Sequence, residues 1–184
     1  MLDPARRAER RPRQSSGGTG RKAGSRSAAG GARVSRGEFA AAGPYEDGRE
    51  VRLERVPGGL RLASWHAGQL VRDAPVIELD DLGALLSGAV EKELLSADQA
   101  AIPLGEGQGE PGAFGSSAGR SGELRDELRV ERLDGRRVRI ARWLMRPNRG
   151  WELQAAPVML PAARYAQALA AAAASGVLSG GPTA

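Results

Sequence analysis

Two stretches of this chain repeat one another. Val51–Trp65 reads VRLERVPGGLRLASW, and Leu128–Trp143 reads LRVERLDGRRVRIARW. With one inserted residue they superpose, with identity at Arg52/Arg129, Glu54/Glu131, Arg55/Arg132, Gly58/Gly135, Arg61/Arg139, Ala63/Ala141 and Trp65/Trp143. Other positions trade one aliphatic for another, as Leu53 for Val130 and Leu62 for Ile140. A duplicated structural unit explains this agreement. Each unit is only about 50 residues long, too small to be comfortably stable alone, so the two are expected to pack together.

The period inside each copy is two. Leu128 and Val130, then Val138 and Ile140, alternate with Arg129, Glu131, Arg139 and Ala141. PGG in one copy and DGR in the other separate two such runs, which predicts a β-hairpin buried on one face. A third extended stretch follows in each copy, 70–79 and 149–160, with prolines that suit edges or bends. A helix then closes each unit. In the first, Asp80 or Asp81 is the expected cap, and Leu82, Leu85, Leu86 and Ala89 share a face. In the second, Pro161 suits the first turn, Tyr165, Leu169 and Ala172 share a face, and Gly176 follows the end. The fold class is therefore α+β: two β-β-β(-β)-α repeats packed as one pseudo-symmetric domain.

Strand alternation sets Trp65 and Trp143 opposite the aliphatic face, in company with Arg61, Arg137 and Arg139. With helices over the aliphatic side, the Arg/Trp side is expected to be open. Indole rings flanked by guanidinium groups form a stacking platform for bases, worth about 1–3 kcal/mol per base. The competing reading makes each Trp a filler at the edge of the core or at a subunit contact. Both readings stand at this stage.

The flanks divide by composition. Residues 1–43 are rich in Arg, Ser and Gly and carry about +7, which reads as a disordered basic arm. Residues 44–96 form the first repeat, 97–126 a Gly-rich linker, 127–176 the second repeat and 177–184 a flexible tail. The first repeat is acidic, near −4, and the second basic, near +5. Serines 15, 16, 25, 27 and 35 sit among the arginines of the arm, where phosphorylation weakens attraction to a polyanion.

The net charge of +5 suggests an anionic partner. No cysteine is present, and a single histidine, His66, leaves no two-histidine metal set and no ordinary Ser-His or Cys-His machinery. The spaced glycines of PLGEGQGEPG lack the strand before and the Lys-Ser/Thr after that a phosphate loop needs. No apolar run approaches the roughly 20 residues of a membrane span, so a cytoplasmic or nucleoid-associated location is expected. No enzymatic activity, cofactor or metal is expected.

The run VMLPAARYAQAL, a strand leading through LPA into a helix with an aromatic five residues after the Leu, follows the Arg/aliphatic hairpin. Together they resemble the repeat of the purine-rich-element-binding (PUR-alpha) proteins and are similar to the related Whirly single-strand-binding fold. That resemblance implies two intertwined β-β-β-β-α units whose sheets bind single-stranded DNA or RNA. The residues expected to bind are Arg129, Arg137, Arg139, Arg142 and Trp143, with Arg52, Arg61 and Trp65 in the first copy. The alternative is a protein-interaction or oligomerisation module, such as a homodimer, using the same Arg/Trp surface, since both residue types dominate interface hot spots.

Overall fold

A computed structural model describes residues 38–105, 109–155, 157 and 159–180. Residues 1–37, which hold most of the expected arm and all its serines, lie outside the described residues.

The first half contributes β1 (Phe39–Ala42), β2 (Arg49–Val56), β3 (Gly59–His66), β4 (Gln69–Leu70), β5 (Val76–Glu78), α1 (Leu79–Glu91) and the short α2 (Ala97–Ala100). The second contributes β6 (Phe114–Ser121), β7 (Leu124–Arg132), β8 (Arg137–Arg146), β9 (Gly150–Gln154), β10 (Met159–Leu160) and α3 (Ala162–Ala174). The β2–β3 and β7–β8 hairpins are the repeated phrase, turning at Pro57–Gly58 and at 133–136.

These strands form two antiparallel five-stranded sheets. One runs β1-β2-β3, with β4 and β10 both paired to β3; the other runs β6-β7-β8, with β9 and β5 both paired to β8. Each sheet thus takes a short strand from the other half. Met159 and Leu160 face Arg61 and Leu60, while Val76 and Ile77 face Arg139 and Val138. Pro75 and Pro157 stand just ahead of these strands, where no ladder donor is lost.

The inward faces and the helices share one aliphatic core. Val51, Leu53, Leu60 and Leu62 come from one sheet, Leu128, Val130, Val138 and Ile140 from the other. Leu79, Leu82, Leu85, Leu86 and Ala89 of α1 join them, as do Tyr165, Ala168, Leu169 and Ala172 of α3. Full burial of a Leu or Val side chain contributes about 1.5–3 kcal/mol, so this shared core binds the halves together. The Tyr165 hydroxyl accepts a hydrogen bond from the Leu62 amide at 3.2 Å, which ties α3 to β3.

Three boundaries differ from expectation. The last arm residues form β1, whose Ala40 and Ala42 are buried. The segment 97–126 is no simple linker: it carries α2, all of β6 and the start of β7. Its glycines are there for space. A Cβ on Gly115 would lie 2.0 Å from the Ala172 amide nitrogen, and one on Gly119 would lie 1.8 Å from the Arg164 guanidinium. The supposed tail buries Val177 and Leu178, because the chain reverses at Gly176 (φ 71°) and returns to the core. Glu93 (φ 53°) makes the same reversal after α1 and delivers Leu94 and Leu95.

Helix α1 also starts differently. Its N-cap is Glu78, with no side-chain capping bond, and Asp80 and Asp81 lie in the first turn. There their carboxylates favour the positive end of the helix dipole rather than cap it. Pro161 precedes α3 as its N-cap residue.

Candidate functional site

The outward faces of the two hairpins carry the same construction. Across β2 and β3 the facing pairs are Glu50–Trp65, Arg52–Ala63 and Glu54–Arg61. Across β7 and β8 they are Glu127–Trp143, Arg129–Ala141 and Glu131–Arg139. The edge strand adds Phe39 opposite Glu54 in one sheet and Phe114 opposite Glu131 in the other. Small alanines face the central arginines and leave room for them to lie flat between rings.

The rings and guanidinium groups are layered. Arg52 lies 4.5 Å from the Phe39 ring centroid and 4.8 Å from that of Trp65; Arg61 covers Trp65 from 5.9 Å. Arg129 lies 4.5 Å from Phe114 and 4.8 Å from Trp143, with Arg139 at 5.8 Å from Trp143. Trp151 of β9 adds a third ring, 4.9 Å from Arg129. Each layer gains cation–π attraction.

Carboxylates complete the layers. Glu54 takes a forked pair of bonds from Arg61, at 3.2 and 3.0 Å, and also accepts from Trp65 Nε1 at 3.1 Å. Glu131 accepts from Arg139 at 2.8 Å, Glu127 accepts from Arg129 at 2.8 Å, and Glu50 pairs with Arg52. Pairing every guanidinium is what permits this degree of burial.

The expected binding residues therefore separate into three groups. Arg52, Arg61 and Trp65 meet on one sheet face, and Arg129, Arg139 and Trp143 on the other. Both indoles stand outside the aliphatic core cluster, but the face is not open as expected. Trp65 is 2% exposed and Arg129 9%, because the stacked arginines and their carboxylates roof the first ring; Trp143 is half-buried. Arg137 lies apart at the β7–β8 turn, where it bonds Asp134. That contact and the Arg136 and Arg137 amides hold the Asp134 carboxyl down at about 2.

Arg142 belongs elsewhere, since residues one apart on a strand face opposite sides. It points to the helix side and pairs with Asp126, a carboxylate with no exposed side-chain surface. Arg164 of α3 meets the same carboxylate at 3.4 Å and bonds the Ser117 hydroxyl and carbonyl at 3.1 and 2.8 Å. This cluster pins α3 to the second sheet.

Two exposed aromatic residues lie outside the repeated phrase. Phe39 and Phe114, the only phenylalanines of the chain, are 39% and 43% exposed. They are the open ends of the two stacks. Their matching positions were hidden because β1 and β6 lie beyond the repeated phrase, and because the loops after them differ in length.

His66 is exposed at the end of β3, and Gly48 approaches its ring. A cavity of about 240 Å³ opens between the sheets, lined by Tyr45, Val51, Ser64, Val76, Glu78 and Arg137 among others. Burial pushes the Tyr45 hydroxyl up to about 12. Among the described residues no helix is long and apolar enough to cross a membrane, and no cluster of three His, Asp or Glu side chains stands ready to hold a metal ion.

The chain matches no protein-family model, no curated protein and no solved structure.

Proposed function

We propose that this protein binds single-stranded nucleic acid across the outer faces of its two sheets, without catalysing a reaction. The observation that carries the reading is the pair of matched stacks, each ending in an exposed phenylalanine over a guanidinium. A base laid on Phe39 or Phe114 extends an existing column of rings and cations, and stacking of this kind tolerates any base. The buried Trp65 and the half-buried Trp143 then act as foundations that hold Arg52 and Arg129 flat, with Phe39 and Phe114 as the rings that meet the bases. The basic residues of segment 1–43 supply long-range attraction to the phosphates.

The same reading extends to the fold. A two-repeat PUR-like or Whirly-like arrangement with internal pseudo-symmetry is supported by the reciprocal pairing of β5 with β8 and β10 with β3. It is supported again by the equivalent reversals at Glu93 and Gly176.

Titration of a labelled single-stranded oligonucleotide with the full-length protein tests the proposal. Phe114→Ala and Phe39→Ala are each expected to weaken binding about 5- to 150-fold, the loss of one stacked base. Unchanged affinity in both variants overturns the stacking role, and the absence of binding by the unaltered protein overturns the function.

A second reading has its own support. Phe39, Phe114 and Met159 are exposed apolar side chains, which also suits a protein partner or a second copy. Mass measurement in solution separates the two, since Phe114→Ala dissociates an oligomer only under this reading.

A further inference from the structure

Almost every arginine of the described domain has a partner of its own. Carboxylates hold those at the stacks, at the turns and beneath α3. Arg55 and Arg132 donate instead to backbone carbonyls, Arg132 to Val177 at 3.0 Å and to Gly135 at 2.7 Å. Arg72, Arg120 and Arg125 break the pattern: all three are exposed, and none meets a carboxylate or a carbonyl among the described residues. Of these, Arg120 and Arg125 share one sheet.

They also stand directly opposite one another, paired in register across β6 and β7. Like charges in facing positions destabilise a sheet. Here the cost is borne at the end of a hairpin that closes through Ser121–Gly122–Glu123–Leu124, with Glu123 exposed and drawn into no ion pair among the described residues. The row lies on the outward face, the face of Phe114 and Arg129, since strand positions two apart share a side. Trp151 completes it, half-buried on β9, with the Arg125 guanidinium 6.0 Å from its ring centroid.

We infer that Arg120 and Arg125 form a phosphate-binding clamp for the backbone of a single strand crossing the second sheet. Facing side chains on adjacent strands are about 5 Å apart at Cβ, so two guanidiniums can close on one phosphodiester from both sides. The strand would then run from the clamp towards the Phe114 ring, which lies further along the same edge strand. This assigns the anionic contacts to arginines outside the repeated phrase, because those inside it are already engaged by carboxylates or backbone carbonyls. The inference rests on the nucleic-acid reading and gives it a specific electrostatic site.

Arg120→Glu separates binding from folding. It replaces a like-charge pair with a facing Glu–Arg pair, so the melting temperature is expected to stay level or rise. Affinity for a labelled single-stranded oligonucleotide is expected to fall about tenfold or more, the loss of a charge-assisted contact. In the double variant Arg120→Gln/Arg125→Gln, the slope of log affinity against log salt is expected to shrink by about 0.7, one single-strand phosphate contact. Full binding and an unchanged salt slope in both variants, with Phe114→Ala still weakened, overturn the clamp and leave the nucleic-acid reading standing. No oligonucleotide binding by the unaltered protein overturns both, as does binding to anionic lipid vesicles in place of the oligonucleotide.

Discussion

Trp65 donates its indole proton to Glu54 across 3.1 Å, whereas Trp143, at the matching point of the second hairpin, has its Nε1 buried with no hydrogen-bond partner among the described residues. The two copies keep the same stack and satisfy it differently. Leaving a buried donor unmade costs about 1–3 kcal/mol. Trp143→Phe is therefore expected to cost little stability or to add some. Trp65→Phe should cost more, because it leaves Glu54 with one bond fewer. Trp65→Ala empties a buried site and should destabilise by about 3–5 kcal/mol. Urea unfolding of the three variants ranks them, and equal losses in the two Phe variants would contradict the difference between the copies.

The helix–strand contacts trade a small residue between partners. Gly88 of α1 faces Ala40 of β1, where an added Cβ would sit 3.4 Å away, an ordinary contact. In the second half the glycine is on the strand, and Gly115 presses against the backbone of α3. Gly88→Ala is expected to stabilise by up to about 1 kcal/mol through helix propensity. Gly115→Ala is expected to destabilise by about 1–3 kcal/mol or more, because backbone cannot yield as a side chain can. Thermal melts of the two variants should move in opposite directions.

Asp126 holds both Arg142 and Arg164 with its side chain wholly buried. Asp126→Asn leaves two cations short of their counter-charge and is expected to cost about 3–5 kcal/mol. Hydrogen exchange of α3 amides should rise first in that variant, since α3 is what the cluster fastens.

Tyr165 gives the fold an alkaline limit. Burial raises its hydroxyl from 10.0 to about 12, so the unfolded chain releases this proton first as pH rises. The stability linked to Tyr165 is fully present below pH 10 and is lost between about pH 10 and 12. Chemical denaturation from pH 9 to 12 should show a decline that is shallower in Tyr165→Phe. Tyr45, also raised to about 12, contributes in the same window, and Tyr45→Phe isolates its share.

Much of this architecture is legible in the residues themselves. The duplication yields both hairpins, alternation gives the correct side for each Trp, and the apolar spacing of 79–91 and 162–174 gives both helix faces. What alternation cannot give is the roof over a face. Arg and Glu two apart on one strand, facing Arg and Trp on the next, neutralise and cover each other only once the strands are paired. Strand β6 was hidden for another reason. FGSSAGRS has the composition of a linker, and its fitness as a strand lies in the helix above it. The place of Arg142 is not legible in sequence, because its partner Asp126 comes from β7, shared with Arg164 of α3, and is fixed only by the closed fold.

The borrowed strands make the connection between the halves a tether. Neither half has a complete sheet unless the other lends its last strand, so the covalent connection between the halves sets how often the two ends meet. A short tether acts like a millimolar concentration of the missing piece. Two chains severed within it should still recombine, slowly and in proportion to their concentration. Shortened until it cannot span, the same tether should drive the exchange between two copies and turn an intramolecular closure into a mutual one.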